Sequence, residues 1–203
     1  GQFLDHDMTL DTLPLPTEFV DPTTIPNSRD PRLNLDSVYG KGPLANPELY
    51  EADKKHLKVN GRDLPRDPSC VVVPLPSTSS LTPCPAIINE GRNDENQVIA
   101  QIHVAFLRAH NALIDQGYLF EVARQLMRWR HQWIVVHEFL PEVLDANVYA
   151  DVFRPNGSIY TRYYVPKHAF NAVMPVEFSV AAYRFGHSQV RKAYIMTQAG
   201  PKL

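Results

Sequence analysis

The chain has 203 residues, 44% apolar and 21% charged, proportions that exclude wholesale disorder, collagen-like arrays and coiled-coil arrays. Lys plus Arg at 20 against Asp plus Glu at 22 leave a net charge of −2; without a basic excess to meet a phosphate backbone, no nucleic acid is expected as partner. The two cysteines, Cys70 and Cys84, exclude a disulfide-dense scaffold and a four-thiolate zinc site, and no apolar run exceeds residues 133–136, far too short for a membrane span.

Taken in chain order, the sequence starts almost directly in a helix-like segment. It lacks an initiator Met and stops at Gly200-Pro201-Lys202-Leu203 without a closing element, so it reads as a processed or truncated piece of something longer. Thirteen of the 18 prolines fall before residue 90, which makes the first part extended loop with short helical pieces. Residues 13–31 and 65–85 read as loops, and loops of that length are functional or wrap a core supplied by other segments. The character changes at Asn93. Val98, Ile99, Ile102, Ala105, Phe106, Ala109 and Leu113 sit at helical spacing, with Asn93 or Asp94 as N-cap and Gly117 as stop. A second helix is expected over 119–139, through Val122, Leu126, Trp129, Trp133 and Val136, ending near Pro141. A third is expected over 176–190, with Phe178, Ala181, Ala182 and Phe185 as its apolar face. Only 71–73 and 163–165 are strand candidates, so the class is mainly α.

Single motifs carry little chemistry. His103 and His110, on the first long helix, read as partner-bonded helix histidines. His137-Glu138 begins like a zinc-protease motif, but Pro141 stands where the second His is needed. No Gly-x-Ser-x-Gly supports a hydrolase triad, and Gly40-Lys41-Gly42 lacks the rest of a phosphate loop. Cys70 and Cys84 are either one disulfide or two thiols.

Four segments together describe one site. They are Gly1-Gln2-Phe3-Leu4-Asp5-His6-Asp7, then Arg29-Asp30-Pro31-Arg32-Leu33-Asn34-Leu35-Asp36-Ser37-Val38-Tyr39-Gly40, then Gly91-Arg92-Asn93-Asp94-Glu95-Asn96, and last Tyr183-Arg184-Phe185-Gly186-His187. In this order they resemble the animal-type haem peroxidases of the peroxidase–cyclooxygenase superfamily, most of all its bacterial members. Phe106-Leu107-Arg108-Ala109-His110-Asn111 and Glu138-Phe139-Leu140-Pro141 are also similar to that family. The resemblance covers residues 1 to about 196 and implies that 1–203 is a partial haem peroxidase domain, mainly α with long Pro-rich loops, to be completed by further segments of the same protein.

The resemblance implies a haem enzyme that reduces hydrogen peroxide and oxidises a small reducing substrate (halide, thiocyanate or phenol) through a ferryl–porphyrin radical state. Heterolysis of the O–O bond needs a base that takes a proton from one oxygen and returns it to the other, and a fixed positive charge. His6 matches the distal base and Arg92 the distal arginine. Gln2, on the same helix face as His6, matches the glutamine that binds distal water or halide. His187 matches the proximal ligand of the haem iron, with Gly186 beside it allowing a flat ring to approach closely. Arg184 matches the partner of a haem propionate, and Asp5 and Glu95 match the carboxylates that form ester links to the haem. Asn96 stands where the mammalian leukocyte type has Met, which excludes a sulfonium link.

Calcium is implied by the same segments, since a hard cation takes six to eight oxygens. Asp7, Asp30, Arg32 through its backbone carbonyl, Asn34 and Asp36 match the family's calcium loop, although Asp30 replaces the usual hydroxyl residue and Asn34 the usual aspartate. A secreted or extracytoplasmic location follows from the same likeness. Two other readings compete. A fatty-acid dioxygenase of the superfamily carries Tyr three residues before the proximal His. Here that position is Arg184, and Tyr183 is rotated from it by about 100°. The other is a non-enzymatic, calcium-binding structural fragment with a vestigial haem site.

Overall fold

The computed structural model describes residues 1–10, 21, 25–70, 73, 74, 81, 82, 84–154, 174, 178, 179, 181–188, 191, 194, 195, 201 and 202. These residues are mainly helical. The helices are α1 (Gln2–Met8), α2 (Asp36–Tyr39), α3 (Gln97–Asp115), α4 (Phe120–Ile134), α5 (Leu140–Val143), α6 (Ala146–Val152) and α7 (Phe185–Ser188). Among the described residues strand is confined to two antiparallel pairs, Val73–Pro74 with Leu81–Thr82 and Tyr194–Ile195 with Pro201–Lys202. The expected strand at 163–165 lies outside the described residues, as do residues 71 and 72. Of the expected third helix, 178–179 and 182–188 are described and are helical, the second piece opening with the 3-10 turn Ala182–Arg184.

α3 starts later than the sequence suggested. Its N-cap is Asn96, whose side chain accepts the Ile99 N–H at 3.1 Å, the role short polar side chains fill at helix starts. Asn93 and Asp94 lie instead in the 3-10 turn Gly91–Asp94, because other partners hold them. Asn93 is buried between two histidines, and Asp94 forms a bidentate pair with Arg66 at 2.7 and 2.5 Å. The stop is as expected: Gly117 has φ +90° and its N–H returns to the Ile114 carbonyl at 2.8 Å, a conformation that favours glycine.

The buried stripes differ from the expected ones. α3 buries Ile99, His103, Leu107, His110 and Ile114, while Val98 and Ile102 are exposed. α4 buries Ala123, Met127 and His131 and leaves Val122, Trp129 and Trp133 exposed. A stripe counted from apolar residues alone misses histidines that have polar partners inside the core. His110 accounts for both its nitrogens, Nδ1 with the Tyr39 hydroxyl at 3.0 Å and Nε2 with the Lys55 carbonyl at 3.0 Å. After Ile134 the helix widens into one π-helical turn, Val135–Phe139, and Pro141 opens α5.

The core joins Phe3 of α1 to Leu35, Val38 and Tyr39 around α2 and to Ile99, Val104 and Leu107 of α3. Phe3 stacks on Phe106 with ring centroids 4.9 Å apart, a contact of the kind worth about 1 kcal/mol beyond area burial. α1 therefore sits against α3 on one side and against the 182–188 helical segment on the other. A disulfide joins Cys70 to Cys84.

Candidate active site

α1 carries Asp5, His6 and Asp7 in succession, all buried, and three other elements meet it there. From the 91–94 turn, Asn93 Oδ1 lies 2.7 Å from His6 Nδ1, and Asn93 Nδ2 lies 2.9 Å from His103 Nδ1. An amide nitrogen can only donate, so His103 Nδ1 accepts while His6 Nδ1–H donates. That leaves the lone pair of His6 on Nε2. Burial pushes His6 down to about 4, against the opposing hydrogen bond it donates to Asn93, and Arg92 lowers it further. His103 is also pushed down to about 4 by burial. Both rings are neutral at pH 7.

α7 supplies His187 opposite His6, with ring centroids 5.4 Å apart. Asp5 lies between them. Its Oδ1 accepts the Thr9 hydroxyl at 3.0 Å. Its Oδ2 is buried without a hydrogen bond, 3.8 Å from His187 Nε2 and 3.8 Å from Arg184 Nη1. His187 Nδ1 is likewise buried and unpartnered. The structure thus brings together Asp5, His6, Arg184 and His187.

Other candidate residues stand further off. The Arg92 guanidinium is held by Glu90, at 2.8 Å to each carboxylate oxygen, and reaches the carbonyls of Thr9 at 2.6 Å and His6 at 3.3 Å. It therefore closes the C-terminal carbonyls of α1, which lack helical partners. Gln2 donates through Nε2 to Glu95 and accepts from Asn96 Nδ2 at 3.2 Å. Glu95 is exposed and lies outside the buried group.

The 29–37 loop is fastened from several directions. Asp7 accepts from Leu35 N at 3.2 Å, Ser37 N at 3.3 Å and Ser37 Oγ at 2.6 Å, and lies 3.4 Å from His131 Nε2. Burial works to raise Asp7, but the bonds from His131 and Ser37 prevail and hold it low. Asp30, Asn34 and Asp36 bond among themselves. From α4, Arg128 and Gln132 donate to the carbonyls of Asn34 and Arg32 at 2.9 and 3.3 Å. These ties hold Leu33 and Leu35 at φ +55° and +59°, a left-handed conformation costing roughly 1–2 kcal/mol each.

Sequence reasoning gave Asn93 only a helix-cap role and passed over Glu90 and His131. Glu90, almost fully buried, binds Arg29 at 2.7 Å as well as Arg92. Burial works to raise it, yet the two arginines hold it at about 2. The one available signal was Glu90-Gly91-Arg92 itself, an acid two residues before a singled-out arginine.

Residues 13–202 match the family model described as animal haem peroxidase. The chain belongs to that family. It is 28% identical over 178 residues to thyroid peroxidase from Mus musculus, covering 78% of this chain and 19% of that protein. It is 27% identical over 194 residues to chorion peroxidase from Aedes aegypti, covering 83% and 22%. It is 32% identical over 121 residues to a peroxidase-like protein from Margaritifera margaritifera, covering 54% and 15%. The chain thus spans about a fifth of the length of these relatives. The expected special likeness to bacterial members is not supported by these animal relatives, and the family alone stands.

Haem is the group that family membership implies. A haem ligated by one of two facing histidines needs a bond of about 2 Å on that side and contact at about 3.5 Å on the other, or about 5.5 Å between its flanking atoms. The facing ligand atoms of His6 and His187 lie within 4.8 Å of each other, closer than that as folded. Moreover, a Cβ placed on Gly186 would lie 3.0 Å from the Gly1 Cα and 3.2 Å from Gln2 N. The close approach that Gly186 permits is therefore made by the backbone of α1, and the slot between α1 and α7 is closed as folded. The candidate calcium residues are tied within the protein. The oxygens of Asp7, the Oδ1 of Asn34 and the carbonyls of 32 and 34 are taken by protein donors. Asp36 Oδ1 has no hydrogen bond, but Arg29 Nη1 stands 3.9 Å from it.

Proposed function

We propose that this chain supplies the proton-handling residues of an enzyme that reduces hydrogen peroxide and oxidises small donors such as halide, thiocyanate or phenol. The single observation that carries the reading is the state of His6. It is buried and neutral, its Nδ1 is fixed by Asn93 and its Nε2 lone pair is free on the side facing His187. A base of this kind takes the proton of one peroxide oxygen and returns it to the other as water leaves. Asn93 holds the ring in the tautomer that task requires, and Arg92, through Thr9 and His6 carbonyls, fixes the end of the helix that aims it. Family membership supports haem as the redox group, with His187 and Arg184 as the residues facing it once α1 and α7 part. Asp7, Asp30 and Asp36 act as braces of the 29–37 loop. The Cys70–Cys84 disulfide supports an oxidising, extracytoplasmic compartment, and no helix among the described residues is long and apolar enough to cross a membrane.

The second reading, a structural fragment whose haem site is vestigial, is favoured by the narrow His6–His187 gap. Titrating the chain with haem, then with peroxide and a donor, separates the two. The enzyme reading expects a Soret shift on haem uptake and peroxide-dependent donor oxidation, with His6→Ala slower by about 10²–10⁴-fold. Absence of haem uptake and of peroxide consumption would leave the fragment reading standing.

A further inference from the structure

The Asn93 amide sits between two imidazoles, and turning it over would change its outline hardly at all. It would, however, reverse what each ring must do. With Oδ1 2.7 Å from His6 Nδ1 and Nδ2 2.9 Å from His103 Nδ1, His6 carries its proton on Nδ1 and keeps the Nε2 lone pair. With the amide reversed, His6 would accept through Nδ1 and hold its proton on Nε2, where a general base needs none. We propose that His103 is a positioning residue for the peroxide reaction: by accepting the Asn93 amide it fixes the orientation of that amide and, through it, the tautomer of His6. The role rests on His6 as the base and extends that reading to a residue of α3.

His103 and Asn93 are both without exposed surface, and the remaining ring nitrogen of His103, Nε2, is buried without a hydrogen bond. Among the described residues the ring's one hydrogen bond is the one to Asn93. A histidine present for packing alone leaves two nitrogens to be satisfied where an apolar side chain leaves none. His110, two turns further along α3, shows the structural alternative, with both nitrogens bonded to Tyr39 and Lys55. His103 is also braced against the helix that carries His6, since Phe3 of α1 meets its ring edge to face at 6.2 Å.

The surrounding charges break the symmetry between the two rings. Those that act on His103 are the carboxylates of Glu90 and Asp7, both negative, and a negative potential favours an N–H over a bare lone pair at its unbonded nitrogen. Of the charges that act on His6, the Arg92 cation has the largest effect, and it favours the lone pair. His103 therefore keeps its proton on Nε2 and presents Nδ1 as an acceptor. The amide follows, and His6 is left with its proton on the Asn93 side.

Nitrogen-15 spectra of the histidine rings at pH 7 test this on the chain without haem. The unaltered chain should show His6 protonated on Nδ1 and His103 on Nε2. His103→Leu removes the acceptor while keeping the bulk. The Nε2–H form of His6 should then rise about tenfold, the change that loss of one ordinary hydrogen bond brings to an equilibrium. His103→Asp, whose carboxyl oxygens accept but do not donate, should keep His6 in the Nδ1–H form. In the haem-loaded chain, His103→Leu should slow the reaction with peroxide by the share of His6 converted, with the KM of the donor unchanged. Failure of haem uptake would overturn the peroxidase reading on which the role rests. A proton on His103 Nδ1 in the unaltered chain, or an unchanged His6 tautomer in folded His103→Leu, overturns the role of His103 alone.

Discussion

Asn93→Leu is the substitution that most directly probes how the site is set. Asn93 is fully buried and joins His6 Nδ1 at 2.7 Å to His103 Nδ1 at 2.9 Å. Leucine is close to asparagine in size but neither accepts nor donates, so two ring nitrogens lose their partners. Both rings are at most 1% exposed, and water does not replace the amide. At about 1–3 kcal/mol for each unsatisfied buried group, the loss should be about 2–6 kcal/mol. With a urea slope of about 2 kcal/mol/M, a mid-range loss lowers the midpoint by about 2 M. Asn93→Asp separates the stability effect from the tautomer effect. A carboxylate still accepts from His6 Nδ1–H but cannot donate to His103, which must move its proton to Nδ1. The new negative charge should raise the pKa of His6 by about 1–3 units. Long-range proton–nitrogen spectra of the histidine rings read both changes. A proton found on His6 Nε2 in the unaltered chain, or a midpoint in Asn93→Leu shifted by less than the equivalent of about 0.5 kcal/mol, would refute the reasoning.

Glu90→Gln should destabilise by about 3–5 kcal/mol, because Arg29 and Arg92 are left beside a neutral group. In the unaltered chain the Glu90 contribution, full above the unfolded value near 4.5, should fade as the pH falls from there to about 2, which acid titration of the circular dichroism will follow. His103 acts at higher pH. Its folded value of about 4 lies below the unfolded 6.5, so the unfolded chain binds the extra proton and stability falls between those values by roughly 3 kcal/mol. Glu90 and Asp7 are the carboxylates that oppose this shift, and a His103→Gln variant should show a flatter profile over that range. Asp7→Ala should cost about 3–5 kcal/mol by denaturant unfolding, since it deprives Leu35 N, Ser37 N and Ser37 Oγ of their acceptor. Gly186→Ala forces a methyl against the backbone of Gly1 and Gln2 and should cost about 1–3 kcal/mol, read as a lower melting temperature.

What the sequence disclosed was the part governed by pattern. Helical periodicity and a glycine stop located α3, and the order of four short motifs identified the elements that converge on α1. What stayed hidden depended on which polar groups the fold buries. Asn93 stands where a helix cap was expected, and nothing local tells a capping amide from one bridging two histidines. His103, His110 and His131 belong to the buried stripes of α3 and α4, yet a count of apolar residues passes over them and turns the inferred face toward Val98 and Trp129. The partners of Arg92 were equally illegible. A singled-out arginine invites a role toward a ligand, but with Glu90 beside it the guanidinium closes a helix end instead.

α1 shows how a single short helix divides its duties. Asp7 is saturated, with three hydrogen-bond donors on its two oxygens and His131 beside them; its work is to hold a loop containing two left-handed leucines. Asp5 and His6, immediately before it, are equally buried but retain a free oxygen on the one and a free nitrogen lone pair on the other, both on the side facing α7. Buried polar groups in folded proteins are nearly always satisfied, and the exceptions concentrate where a ligand or a reaction completes them. The contrast between neighbours one residue apart cannot come from burial, which is the same for both, so it comes from what each side of the helix faces. The 29–37 loop offers donors to Asp7. The His187 side offers Asp5 a partner only at 3.8 Å, outside hydrogen-bond reach. Unpartnered buried atoms also occur away from α7, at Asp36 Oδ1, His103 Nε2 and His131 Nε2, so it is the pairing of Asp5 with the His6 lone pair on one side of α1 that sets this face apart.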